Sequence, residues 1–392
     1  MRISIFLLTN LFIAFVVPKT HAQDTWPVAT PQSVGMNKDS LDAFDKDIAS
    51  GKFGNIDGMV VIRNGKLIFQ KNYRHDYYKI YGDSAKVTSA LNPHDPGGPY
   101  NYYNRWWHPY YHNSDLHSLQ SVTKTITSVI IGVARTRKDF PDISTPVLNF
   151  FDTTKVKNID DRKRRLTVRD LLTMTAGIDW NEHVHYSDPQ NDCTIMEASF
   201  DWVQYVIDKP MAEEPGKTFN YNSGASELLS YIFRSATGID IEEYAAKYLF
   251  TPLGIYRFYW KRIPTGLVDT EGGLYLAATD LAKIFYLFLQ NGKWEGEQLV
   301  SPDWVKGSVA PAITVGRGVK YGYKWWLFDY GTDEANPKYA WTGSGFGGQW
   351  PLVIPEYNIV AVFTGWNIIP GKPSLPVIRS LRRLVNAVSD KK

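Results

Sequence analysis

The sequence of 392 residues contains a single cysteine, Cys193. No internal disulfide can form, so a hydrophobic core must hold the fold. Charge of one sign is not in excess. Lys and Arg number 43 against 40 Asp and Glu, a formal net charge of +3, and this removes the electrostatic case for nucleic acid as a partner. Beyond residues 3–17 no stretch is apolar enough to span a bilayer. No internal repeat is present and no linker divides the chain cleanly. A Gly-x-Ser-x-Gly elbow is missing, so an α/β-hydrolase nucleophile has no support. His183, His185 and Asp188 lie close in sequence, but further ligands at zinc-site spacings are missing. No metal or cofactor is expected.

What is present is an ordinary globular composition, 44% hydrophobic and 21% charged, with a high aromatic share of 14%. The first 22 residues have the pattern of a secretory signal: Arg2, an apolar stretch from Ile3 to Val17, and Thr20-His21-Ala22 ending in a small residue. A secreted or periplasmic location is expected. Cleavage removes two basic residues and no acid, which leaves the remainder close to neutral. No cysteine stands directly after the cleavage point, where Gln23 follows Ala22, so a lipid anchor is not indicated.

Residues 23–392 read as a single α+β domain. Leu41, Phe44 and Ile48 have helical spacing. Two β-rich runs flank Asn64-Gly65, a strong hairpin signal. Residues 74–118 form a long excursion rich in Pro, Gly, His and aromatics. From 119 to about 310 the pattern is mostly helical, with one short helix capped by Thr167 and Asp170 and another ended by Gly238. Strand patterns return after 320, at Tyr321–Leu327, Gln349–Ile354 and Ile359–Thr364, and a helix follows from Leu375 to Val388. Strands at both ends, about 30–75 and 320–392, imply one antiparallel sheet flanked by helices, with a mostly helical region inserted. A cleft between the two parts is the natural site.

Three motifs carry chemistry. In Ser121-Val-Thr-Lys124 a hydroxyl and an amine sit one helical turn apart where an apolar helix opens. The helix start adds free N–H groups and a positive dipole end. Four residues alone are close to a chance match: Ser389-Asp-Lys-Lys392 has the same spacing at the extreme C-terminus. Lys124 acts as a base only if burial or positive neighbours lower its pKa. The second motif, Tyr221-Asn222-Ser223, lies in a turn before a helix, where a phenol can relay a proton. The third, Trp341-Thr-Gly-Ser-Gly-Phe-Gly-Gly-Gln349, leads into a strand. Its glycines allow close backbone approach and an N–H directed at an oxyanion.

In this order the three motifs resemble the serine β-lactamase and penicillin-binding-protein superfamily. Leu166-Thr-Val-Arg-Asp-Leu-Leu-Thr-Met-Thr-Ala-Gly177, Pro215-Gly-Lys-Thr-Phe219 and Gly272-Gly-Leu-Tyr-Leu-Ala-Ala-Thr-Asp-Leu-Ala282 add to the resemblance, which covers about residues 30–388. The branch is that of class C β-lactamase-related esterases and amidases, including nylon-oligomer hydrolases. Two positions depart from the lactamase pattern. Ser223 replaces the Asn of Tyr-x-Asn, and Trp341 replaces the cation of Lys-Thr-Gly or His-Thr-Gly.

The resemblance implies that Ser121 attacks an ester or amide of a small molecule, with Lys124 and Tyr221 as the coupled proton acceptor. The oxyanion would be held by the N–H groups of Ser121 and Phe346, with the register between Gly343 and Gly345 left open. Tyr186, Ser223, Trp341, Gly343 and Gly345 are implied substrate contacts. A D,D-peptidase or β-lactamase, and a non-catalytic binding protein on the same fold, are the competing readings. The aromatic excursion is either a wall over the cleft or a self-packed insertion. The run Asp160–Arg165 reads as a solvated turn. Oligomeric state is not legible.

Overall fold

The computed structural model describes residues 26–92, 95, 97–333 and 335–389, so the expected signal segment lies outside the described residues. Asn37 opens helix α1 (Lys38–Ala49), its side chain accepting the Ser40 N–H. The backbone then enters the expected hairpin, β1 (Ile56–Arg63) and β2 (Lys66–Asn72), through Asn64 and Gly65 at φ 52° and 71°. These positive φ values suit a two-residue turn that follows the strand twist. The described residues of the aromatic excursion include a short helix, α2 (Tyr77–Tyr81), and two single 3-10 turns, and the excursion ends in β3 (His117–Ser118).

The helical region follows: α3 (Val122–Arg137), α4 (Asp161–Arg165), α5 (Val168–Leu172), α6 (Asp192–Glu197), α7 (Trp202–Asp208), α8 (Ser223–Thr237) and α9 (Ile241–Ala245). Next come β4 (Tyr259–Trp260), β5 (Leu274–Leu276), α10 (Ala278–Leu289), β6 (Lys293–Trp294), β7 (Glu297–Gln298) and α11 (Pro302–Ser308). The chain closes with β8 (Ile313–Gly316), β9 (Val319–Tyr321), β10 (Trp326–Asp329), β11 (Tyr339–Thr342), β12 (Trp350–Ile354), β13 (Ile359–Gly365) and α12 (Val377–Asn386).

An eight-stranded antiparallel sheet runs β2-β1-β13-β12-β11-β10-β9-β8. Strand β1 therefore pairs directly with β13, Met59 opposite Phe363 and Val60 opposite Val362. The two ends of the chain build one sheet, as the strand patterns implied. Alternation along these strands feeds two cores. Met59, Val61, Ala361 and Phe363 face Leu41, Phe44, Leu381 and Leu384 of the two terminal helices. Val60, Ile62, Val360 and Val362 face the helical region through Ile126, Val129 and Ile130 of α3 and Ile284 and Phe288 of α10. Among the described residues no helix is long and apolar enough to cross a membrane.

Two expectations need correction. Tyr321–Leu327 is not one strand. The chain breaks after Tyr321, and Lys324 turns at φ 65° with its side chain buried before β10 begins. Residues 160–165 form a capped helical turn, and Lys163 is buried, its ammonium donating to the carbonyls of Lys157, Ile207 and Lys209. Three carbonyls replace the water that an alternating charge run would otherwise attract.

A three-stranded sheet, β3-β5-β4, places Ser121. His117 and Ser118 pair with Leu276 and Tyr275, and the Leu119 N–H continues the ladder to the Leu274 carbonyl at 2.9 Å. The step into α3 is thus pinned beside the segment that precedes β5.

Candidate active site

Ser121 sits at the N-cap of α3, but its hydroxyl caps nothing. Gln120 before it is held at φ 47°, a left-handed backbone that a non-glycine residue adopts rarely. The hydroxyl instead meets Lys124, whose Nζ donates to Ser121 Oγ at 2.7 Å. The predicted pairing across one helical turn is present. Lys124 is 1% exposed. Burial disfavours its ammonium, yet its neighbours Tyr221, Glu271 and Glu182 outweigh burial and raise its pKa above the ordinary lysine value. The requirement for a lowered pKa is not met in the resting site. Acids surround Lys124, and the one nearby lysine that burial pushes well down, Lys324, bonds Ser226 Oγ at 2.9 Å.

Tyr221 arrives from the turn before α8. Asn222 accepts the Ala225 N–H at 2.7 Å and starts that helix, which fixes Tyr221 one residue outside it. The phenol ring stacks on Trp326 of β10 with centroids 5.9 Å apart, and Lys124 Nζ lies 5.4 Å from its centroid. Burial pushes the Tyr221 pKa up to about 12, opposed by the Lys124 cation and by a hydrogen bond with the Ser121 hydroxyl. Ser121, Lys124 and Tyr221 are therefore gathered at one point from two elements.

The third motif closes the site from the sheet. After β11 the chain passes Gly343 and Gly345, and Gly345 and Gln349 form a tight bridge, N–H to carbonyl at 3.0 Å. A Cβ on Gly345 would lie 2.4 Å from the Leu119 carbonyl oxygen, and one on Gly343 3.0 Å from Thr125 Oγ1. Both glycines thus press against the start of α3; at Gly345 a side chain meets backbone and does not fit, and at Gly343 the contact is tight. Among the described residues, the backbone N–H groups of Ser121 and Phe346 engage no backbone acceptor. The Phe346 ring packs 4.9 Å from Tyr186 and 6.1 Å from Tyr102.

The expected contact residues divide. Gly343, Gly345 and Tyr186 border the site. Trp341 is half-buried in β11, packed on the core beneath the helical region. Ser223 is fully buried and donates its hydroxyl to Glu182 Oε1 at 2.7 Å and its N–H to Glu182 Oε2 at 2.8 Å. It does not present a free group to a substrate, which corrects its assignment as a contact. Tyr186 and Trp180 also donate to Glu182, each at 2.7 Å.

Sequence reasoning missed Glu182, Trp326 and Glu271. The last accepts from Lys124 through its carbonyl at 2.7 Å and its carboxylate at 3.0 Å. Its local signal was an acid directly before Gly272-Gly273. His185 bonds Ser187, away from any acid set. The residues that do converge are Cys193, Glu197 and Glu271, with ligand atoms within 4.8 Å of one another. Glu271 is bound to Lys124 and Glu197 to Tyr102, so these groups are already paired internally. The aromatic excursion is mostly packed on itself and on the sheet: Tyr77, Tyr81 and Tyr102 are buried, and His108 stacks on Trp366 at 5.0 Å.

Residues 52–365 match the family profile described as Beta-lactamase. Over 207 residues, 50% of this chain, the sequence is 26% identical to 6-aminohexanoate-dimer hydrolase of Paenarthrobacter ureafaciens. The chain spans about half the length of that curated relative, 51%. The structure of EstCE1, a hydrolase with promiscuous acyltransferase activity, superposes with a TM-score of 0.63 at 16% identity, over 92% of this chain and 99% of that one. The octameric penicillin-binding protein homologue from Pyrococcus abyssi gives a TM-score of 0.60 at 20% identity, over 90% and 78%. At these identities the two structures establish the fold alone. With the profile covering most of its length, this chain belongs to the beta-lactamase family.

Proposed function

We propose that the protein is an exported serine hydrolase that cleaves a small ester or amide through an acyl-enzyme on Ser121. The observation that carries this reading is the 2.7 Å contact between Lys124 Nζ and a Ser121 hydroxyl that caps no helix. Ser121 Oγ attacks the carbonyl carbon and its proton passes into the Lys124–Tyr221 pair. The Ser121 and Phe346 N–H groups receive the oxyanion. The pair returns the proton to the leaving group, and water then releases the acyl group by the reverse route. The two groups interact and titrate together, so the proton is assigned to the pair.

An ester or amide outside the β-lactam class is favoured by the absence of a cation at Trp341 and by the engagement of Ser223 with Glu182. The relative from Paenarthrobacter, named a 6-aminohexanoate-dimer hydrolase, supports a hydrolase reading outside the β-lactams. Export rests on the pattern of the first 22 residues and is checked by N-terminal sequencing of the protein recovered from the cell exterior. Activity is tested with p-nitrophenyl esters and a fluorophosphonate probe. The wild type should be labelled at Ser121, and S121A should be neither labelled nor active. Equal labelling of S121A would sink the assignment.

A further inference from the structure

Lys124 is held by more than its serine. Its Nζ has three neighbours: Ser121 Oγ at 2.7 Å, the Glu271 carbonyl at 2.7 Å and Glu271 Oε2 at 3.0 Å. Glu271 thus takes two of the three positions around the nitrogen, and the third is directed at the nucleophile. Neither Glu271 oxygen carries a proton to give. A neutral Lys124 amine would donate its two N–H bonds to Glu271 and turn its lone pair to the Ser121 hydroxyl. A Lys124 ammonium donates to all three. In both states Glu271 aims the nitrogen.

Behind Glu271 lies a second carboxyl. Glu197 of α6 brings a carboxylate oxygen within 4.8 Å of one of Glu271, and two buried carboxyls this close do not both ionise. Burial and the Glu271 charge push Glu197 well up, so Glu197 is the protonated partner. Burial alone would raise Glu271 as well, but Lys124 and Lys261 draw it below the usual carboxylate value. Glu197 Oε1 in turn accepts the Tyr102 hydroxyl at 2.6 Å. Tyr102 belongs to the aromatic excursion. A line of neighbouring groups therefore runs from that insertion through Glu197, Glu271 and Lys124 to Ser121.

We propose that Glu271, backed by Glu197 and Tyr102, is a positioning residue that orients Lys124 toward the Ser121 hydroxyl. The inference rests on the hydrolase reading given above, and it gives the insertion a task beyond packing on itself.

The surrounding charges fix the expected pH response. Lys124 is faced by Tyr221 from the turn before α8, Glu182 from the segment after α5, Cys193 from α6, Glu271 from the turn before β5, and Lys324 from the turn before β10. Glu271 is faced also by Glu197, Asp269 and Lys261, and at longer range by Glu227. Glu271 is an anion that strengthens proton binding at both Lys124 and Tyr221. Removing that charge makes the pair lose its proton more readily.

The test is the pH profile of kcat/KM for p-nitrophenyl butyrate, with fluorophosphonate labelling and thermal melting as controls. In E271Q the rising limb should move to lower pH by about one unit, with kcat reduced and KM little changed. A profile that is only scaled down, its limb unmoved, overturns the inference. E271D keeps the charge but shortens the reach, so its limb should stay in place while kcat falls about tenfold. E271D at the wild-type rate also overturns it, and this arm decides the matter if E271Q does not fold. Wild-type protein that is not labelled at Ser121 overturns the hydrolase reading together with this one. A labelled wild type with an unmoved E271Q limb overturns this one alone.

Discussion

Glu182 accepts both the hydroxyl and the backbone N–H of Ser223, at 2.7 and 2.8 Å. This closes the position from which lactamase-like relatives present an amide side chain to substrate. A substrate that depends on that contact finds a buried carboxylate already engaged. Nitrocefin turnover by the purified protein should therefore fall at least ~1000-fold below p-nitrophenyl ester turnover in kcat/KM. Comparable rates on both would restore the β-lactamase reading.

The second prediction concerns pH. Tyr221 is pushed up to about 12 by burial, and Lys124 is raised by its acidic neighbours. Both groups hold their protons at neutral pH, so the form able to accept the Ser121 proton is scarce there and grows as pH rises. The initial kcat/KM, corrected for spontaneous hydrolysis, should climb steadily from pH 6 to pH 9, by up to about tenfold per unit. A bell centred near neutrality counts against this arrangement. Y221F, which keeps the ring on Trp326 and removes the hydroxyl, should lower kcat by at least ~100-fold with little change in melting temperature.

Gly345 yields a third prediction. A Cβ there meets the Leu119 carbonyl at 2.4 Å, at the entrance to the nucleophile helix. Gly345→Ala must push the β11 end away from Ser121, and a displacement of a few tenths of an ångström misplaces the oxyanion donor. We expect kcat to fall roughly 10- to 100-fold with KM nearly constant. An alanine variant with the wild-type kcat would show that this strand end does not serve the chemistry.

Lys324 gives a fourth, read in stability. Burial and the Lys124 cation hold it well below the ordinary lysine value of 10.5. The folded chain therefore keeps this amine neutral at pH values where the unfolded chain protonates it. Between the depressed folded value and 10.5, the unfolded state binds more protons, and stability rises with pH. Lys324→Met removes the titration and fills similar space. Its melting temperature at pH 7 should exceed that of the wild type, by an amount equivalent to about 1 kcal/mol or more, and the gain should shrink toward pH 10. A melting temperature that falls at pH 7 would show that the bond to Ser226 outweighs burial.

Much of this protein is written locally. The Asn64-Gly65 turn, the Thr167–Asp170 capping box, the left-handed Gly238 and the Ser121/Lys124 spacing each depend on residues a few positions apart, and the structure carries all of them. Backbone sterics and hydrogen-bonding chemistry act at that range, so sequence alone fixes them. The order of the three motifs also pointed to the family. What sequence did not decide is the environment of those groups. Glu271 meets Lys124 across 147 positions, and Glu182 reaches Ser223 across 41. Lys163 reads as part of a solvated turn in the sequence and Lys324 as a residue within a strand, and both are buried in the fold. Proton affinity depends on every charge and every lost water around a group. Those neighbours are brought together only when the sheet from the two chain ends closes on the helical region. The Ser121/Lys124 pair was therefore legible beforehand, while the acids that surround its lysine belong to the tertiary structure.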